Sequence, residues 1–232
     1  MVRSELVVAI RTGLAERADP VRAPGMQAYM KSSLPYRGVS SPIQTQLYRE
    51  VFPRYPITRF DDWQETLLAL WNEANFREER YAALALIGYR GSRTFRTLDA
   101  LPLFVELIVT GAWWDLVDGL ATHEIGDLLR GCPAEMRPTL LRWSRGPDPW
   151  LRRTAIICQV GFKGATDQNL LFACIAPNLA ERGFFLRKAI GWALREYAKA
   201  APDAVGPYVA EHESELSALC KREALKHMIV PS

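Results

Sequence analysis

Histidine is scarce in this chain: three occur in 232 residues, at 123, 212 and 227, and none stands in an HExxH or Cys/His ligand spacing. A zinc site has little to be built from, and no metal is expected. No G-x-G-x-x-G or G-x-x-x-x-G-K-[ST] string is present, which removes the dinucleotide and P-loop fingerprints. A G-x-S-x-G nucleophile elbow is missing too. None of the four asparagines opens an N-x-S/T sequon. The four cysteines, Cys132, Cys158, Cys174 and Cys220, form no CxxC pair, and a chain of this size does not depend on disulfide staples. Reduced thiols and a cytoplasmic location are the expectation. The longest apolar runs, such as "LLALW", fall far short of the roughly 20 residues that span a bilayer, so no membrane segment is expected. At the N-terminus the five-residue run "LVVAI" is broken by Arg11 and followed by charges, which reads as an amphipathic helix rather than a signal peptide.

Period-2 alternation is nearly absent, whereas apolar residues recur at i, i+3 and i+4 from Leu6 to Ile229 between short polar or proline breaks. The spacing predicts an all-α protein with helices of about 12 to 18 residues. Ser41-Pro42 with Gln44 predicts an N-cap, a proline in the first helical position and a capping box; Asp148-Pro149 repeats the cap before "WLRRTAIICQVG". Gly88, Gly91, Gly161 and Gly164 mark stops.

A weak internal repeat runs through these helices. "RYAALALIG" from Arg80, "RTAIICQVG" from Arg153, "KAIGWALRE" from Lys188 and "REALKH" from Arg222 are spaced 73, 35 and 34 residues apart. That period suits antiparallel helix pairs stacked into an α-solenoid, with one copy missing near residue 116 or 117. Equivalent helices then line one concave face, and the basic residues at the repeated position form a stripe along it. The segment 137–199 carries eleven basic residues against four acidic ones, although the whole chain has a net charge of only +3. An arginine-dominated surface of this kind suits phosphate oxygens, and so nucleic acid.

The missing copy coincides with "WWDLVD". On a helix Trp114 and Asp118 are four apart and share a face. A carboxylate beside an indole ring can stabilise a cation. Trp113 and Asp115 read as structural.

Four strings, "AYMKSSLPYRGV", "ELIVTGAWWDLVDGL", "PWLRRTAIICQ" and "FFLRKAIGWALREYAK", resemble in order and spacing the AlkD-type DNA alkylpurine glycosylases of the DNA alkylation repair family. The likeness extends over nearly the whole chain. It implies one α-solenoid domain of HEAT-like repeats over 1–232 that holds duplex DNA on a concave basic face. It also implies hydrolysis of the N-glycosidic bond of cationic N3- or N7-alkylated purines without metal or organic cofactor, as a monomer. Carried over by position, the resemblance makes Asp118 the catalytic carboxylate, flanked by Trp114 and Trp192 against the deoxyribose. It places Arg153 against a phosphate and Tyr29 in the cleft lining, and gives Arg152, Arg187, Lys188 and Arg195 to the DNA backbone. Two other classes stay open at this stage: a non-catalytic repeat protein that binds branched or bent DNA, and a solenoid that binds acidic peptides.

Overall fold

The computed structural model describes residues 2–226 and Met228; His227 and Ile229 lie outside the described residues. Fourteen α-helices and no strand are present among the described residues. The chain divides into two compact units, Met1–Leu103 and Phe104–Ser232.

In the first unit, α1 (Val2–Glu16) is the predicted amphipathic helix. Leu6, Ile10 and Leu14, four residues apart, are fully buried, each contributing roughly 2 kcal/mol of apolar burial. They face α3 (Ser41–Val51), α4 (Phe60–Asn72) and α5 (Arg77–Gly88), which pack around α1. Arg11, which interrupts the apolar run, reaches across to α5 and places its Nε 2.8 Å from the buried carboxylate of Glu79. It also donates to the Glu73 carbonyl at 2.9 Å. The capping box at residue 41 does not form: the N-cap is Ser40, without a side-chain hydrogen bond, and Gln44 turns inward to donate to the Val39 carbonyl at 2.7 Å. An inward bond satisfies a buried amide, which a solvent-facing cap would not do here.

The loop after α2 (Ala23–Met30) holds most of the string "AYMKSSLPYRGV". It is fixed by Glu78, whose buried carboxylate accepts from the backbone N–H groups of Arg37 at 3.0 Å, Gly38 at 2.9 Å and Val39 at 3.2 Å. Such charge-assisted bonds offset the cost of burying the charge. Gly38 has φ +82°, and a Cβ there would lie 2.0 Å from the Asp19 carbonyl oxygen. No other residue type fits that turn.

The second unit contains the end of α6 (Leu101–Gly111), α7 (Trp114–Gly119), α8 (Gly126–Gly131), α9 (Pro133–Ser144), α10 (Pro149–Ile157), α11 (Gln168–Ile175), α12 (Phe184–Ala198), α13 (Pro202–Glu211) and α14 (Ala218–Ala224). Here α9 and α12 fall within the 12 to 18 residues expected, while the other helices are shorter, because single 3-10 turns and tight loops take up much of each interval. The repeat is real within this unit: α7 packs on α10, α10 on α12, and α12 on α14, while α9 packs on α10 and α11, and α13 on α12 and α14. The copy missing from the sequence comparison is therefore α7, which begins at the second tryptophan of "WWDLVD". At Gly191 the backbones of α12 and α14 come close, since a Cβ there would lie 2.6 Å from Cβ of Glu223.

The predicted cap at α10 is present, with Asp148 Oδ1 accepting from Trp150 N at 2.9 Å and Leu151 N at 2.8 Å. All four cysteines are free. Burial pushes the Cys174 thiol up to about 11 and raises Cys158 and Cys220 as well, so these three are poor nucleophiles. No helix among the described residues is long and apolar enough to cross a membrane.

Candidate active site

Asp118 sits in the last turn of α7, and the helix does not stop there. Residues Leu120–Ile125 continue it as a π-helix that passes directly into α8, so one rod runs from 114 to 131 with a widened turn after Asp118. Thr122 donates its hydroxyl to the Asp118 carbonyl at 2.8 Å inside this turn. Segments of π-helix cost hydrogen-bond quality and concentrate at functional sites. The entry is also unusual: Ala112 has φ +42°, a left-handed conformation that a residue with a Cβ resists, and Trp113 is extended before α7 begins.

The carboxylate of Asp118 meets the guanidinium of Arg153, from α10, in a two-point ion pair. Arg153 Nε donates to Oδ1 at 2.7 Å and Nη2 to Oδ2 at 2.7 Å, while Nη1 donates to the Phe185 carbonyl of α12 at 2.5 Å. The fork geometry fixes the plane of the carboxylate as well as its position. Only 6% of the Arg153 side chain is exposed against 19% of Asp118, so the acid is the more accessible partner. Arg153 ties three successive helices of the stack together, α7 through the carboxylate and α12 through the backbone.

The basic side chains assigned to the DNA backbone are largely held in ion pairs. Arg152 Nη1 lies 2.7 Å from Glu181 and 3.3 Å from Asn178 Oδ1. Lys188 donates to Glu223 at 3.0 Å, and Arg195 pairs with the other oxygen of Glu223. Glu223 is held below the usual carboxylate range, chiefly by the Lys188 hydrogen bond. Glu181 is lowered chiefly by the Gly183 backbone N–H, with Arg152 adding to it. The half-buried Arg187 has its Nε buried without a hydrogen-bond partner among the described residues. The basic excess of 137–199 is thus partly matched by Asp118, which precedes that segment, and Glu223, which follows it. Both lie 35 residues from a basic partner, one repeat away.

Trp192 is partly buried on α12 and packs against the core that contains Ala121, Ile156 and Ile190. Trp114 is half-buried in the first position of α7. Trp113 behaves as read from the sequence, with its ring centroid 5.1 Å from Phe185 and 6.4 Å from Trp150. Tyr29 belongs to the first unit, where α2 leaves 76% of it exposed. The structure therefore joins Asp118 and Arg153 directly and sets Arg152, Arg187, Lys188, Trp192 and Arg195 on the two helices stacked beyond α7. Sequence reasoning missed the Phe185 carbonyl, the π-helical turn, and Glu181 and Glu223. The 35-residue spacing of acid and base was the one signal that pointed to Glu223. No group of three His, Cys, Asp or Glu side chains among the described residues is arranged to hold a metal ion.

An all-α stack of helix pairs, with an arginine-held aspartate between neighbouring repeats, defines a class of helical repeat protein. The chain belongs to the DNA alkylation repair enzyme family, which it matches over residues 10–228. Among solved structures it is similar to a protein described as a predicted DNA alkylation repair enzyme from Enterococcus faecalis. The two share 28% identity over 93% of this chain and 98% of the other, with a TM-score of 0.80. No curated protein matches the chain. Family membership supports a role in the repair of alkylation damage, with DNA as the substrate.

Proposed function

We propose that the protein is a DNA glycosylase that hydrolyses the N-glycosidic bond of cationic N3- and N7-alkylated purines in duplex DNA. The observation that carries this reading is the Asp118 carboxylate, clamped at two points by a buried arginine and still one-fifth exposed. An alkylated purine that already bears a positive charge needs no strong acid to leave. The electrons of the C1′–N bond go to the base and neutralise it, and positive charge builds on the sugar. A fixed carboxylate with indole faces beside it stabilises that charge more than it stabilises the neutral sugar of the ground state. Water then adds at C1′, and Asp118 is placed to orient it and take its proton.

Arg153 has a double role on this reading. Three of its five N–H groups are engaged by Asp118 and Phe185, which leaves two for a neighbouring phosphate. A phosphate there offsets the arginine charge, so that the carboxylate acts on the sugar with less attenuation. Trp114 and Trp192 pack on the deoxyribose, and Tyr29, Arg152, Arg187, Lys188 and Arg195 contact the DNA. Phosphate contacts set register and do not choose the lesion.

Incubation with methylated duplex DNA tests the proposal. Release of free 7-methylguanine, with binding that weakens steeply in salt, is the expected result. Binding without base release rejects it and turns the reading to a non-catalytic protein for branched or bent DNA.

A further inference from the structure

Three helices supply the site, and their starts meet in one aromatic cluster. Trp113 is the N-cap of α7, five residues before Asp118. Trp150 is the second residue of α10, three before Arg153. Phe185 is the second residue of α12, seven before Trp192. Their ring centroids form a closed triangle with sides of 5.1, 5.2 and 6.4 Å, in tilted and edge-to-face contacts that suit aromatic quadrupoles.

Two of these helix starts have no cap from the side chain of their N-cap residue. The N-cap of α7 is Trp113 and that of α12 is Gly183, and neither makes a side-chain capping bond, whereas α10 has Asp148. The Glu181 carboxylate accepts from the N–H groups of Arg182 and Gly183 at 2.8 Å just before α12, and the first turn of the helix is held further by the Phe185 ring on one side and the bond from Arg153 to the Phe185 carbonyl on the other. At α7 the chain accepts the left-handed Ala112, and Trp113 keeps a buried Nε1 with no hydrogen-bond partner among the described residues. Strain and an unsatisfied donor persist where surrounding packing over-determines the geometry.

We propose that Trp113, Trp150 and Phe185 are positioning residues that fix the starts of α7, α10 and α12 in register. The Asp118 carboxylate and the Phe185 carbonyl then grip the Arg153 guanidinium together. The catalytic consequence rests on the glycosylase reading; the grip itself does not. Loosening the cluster lets the carbonyl drift, frees one edge of the guanidinium and turns the carboxylate away from the sugar. Small misplacements of this kind cost rate more than binding.

The test is Phe185→Leu in the full chain, with Phe185→Tyr as the conservative variant. Phe172→Leu serves as a control, since Phe172 stacks on Tyr208 at 4.0 Å and lies outside the Trp113, Trp150 and Phe185 triangle. Two readouts are compared: kcat and KM for 7-methylguanine release, and solvent exchange of the Arg153 Nε–H signal in 15N NMR. Phe185→Leu should lower kcat roughly tenfold with KM within about twofold, and speed Nε–H exchange, while Phe185→Tyr and Phe172→Leu stay near wild type. With Asp118→Asn already in place, Phe185→Leu should change the residual rate less than about twofold, as expected of residues that act as a unit. Trp150→Leu gives the same readings if Phe185→Leu does not fold. Unchanged Nε–H exchange in Phe185→Leu, or an equal change in Phe172→Leu, overturns the proposal. Absence of base release by the wild type rejects the glycosylase reading alone, because the exchange measurement still decides the positioning role.

Discussion

Replacing Arg153 by methionine keeps the aliphatic stem and removes the charge, and the structure sets the size of the effect. The guanidinium makes two 2.7 Å bonds to Asp118 and one bond to the Phe185 carbonyl. Breaking a buried pair from one side costs about 3–5 kcal/mol. Asp118 keeps 19% of its side chain exposed and gains some hydration when abandoned, so the lower end, about 3 kcal/mol, is expected. For a domain of this size that is a fall in Tm of roughly 6–12 °C. Asp118→Asn leaves the more deeply buried charge without its counter-ion and should cost at least as much. The double variant, with no ions left to orphan, should recover part of the loss, giving a coupling of about 2 kcal/mol by urea unfolding. Arg182→Met, at an exposed position whose guanidinium makes no ion pair among the described residues, should stay within about 0.5 kcal/mol of wild type. Additivity of Asp118→Asn and Arg153→Met within about 0.5 kcal/mol would refute the reasoning.

Gly38→Ala should destabilise the first unit by more than about 3 kcal/mol, since it adds a Cβ at positive φ against the Asp19 carbonyl; a Tm within a few degrees of wild type would contradict this. Gly191→Ala should push α14 from α12 at a net cost of about 1–3 kcal/mol, read as faster amide exchange across 218–224. Glu223 is depressed below 4.5 in the folded state, so its stabilisation is complete above that value and is lost as pH falls through the lower folded value. Glu223→Gln should therefore melt below wild type at pH 7, with the gap closing as the pH falls below 4.5.

Local signals survived the passage from sequence to structure best. The α1 face, the Asp148 cap and the near-35-residue period each depend on a few neighbouring residues, and the period even located α7 where no copy was visible. Readings that required a tertiary partner did less well. Gln44 looked like half of a capping box because its inward acceptor, the Val39 carbonyl, belongs to a loop that Glu78 folds from 40 residues away. Arg11 read only as a break in an apolar run, and its partner Glu79 is on α5. At the site, Asp118 and Arg153 were both singled out, but as a carboxylate and a separate phosphate ligand. Their pairing needed the stacking of α7 on α10 to be seen.

The central claim is that the Asp118 carboxylate does the chemistry, and single-turnover release of 7-methylguanine from methylated duplex DNA tests it most directly. Wild type should release the base, and Asp118→Asn should be slower by about a hundredfold or more at unchanged DNA affinity. An Asp118→Asn protein that releases 7-methylguanine at the wild-type rate would contradict the account.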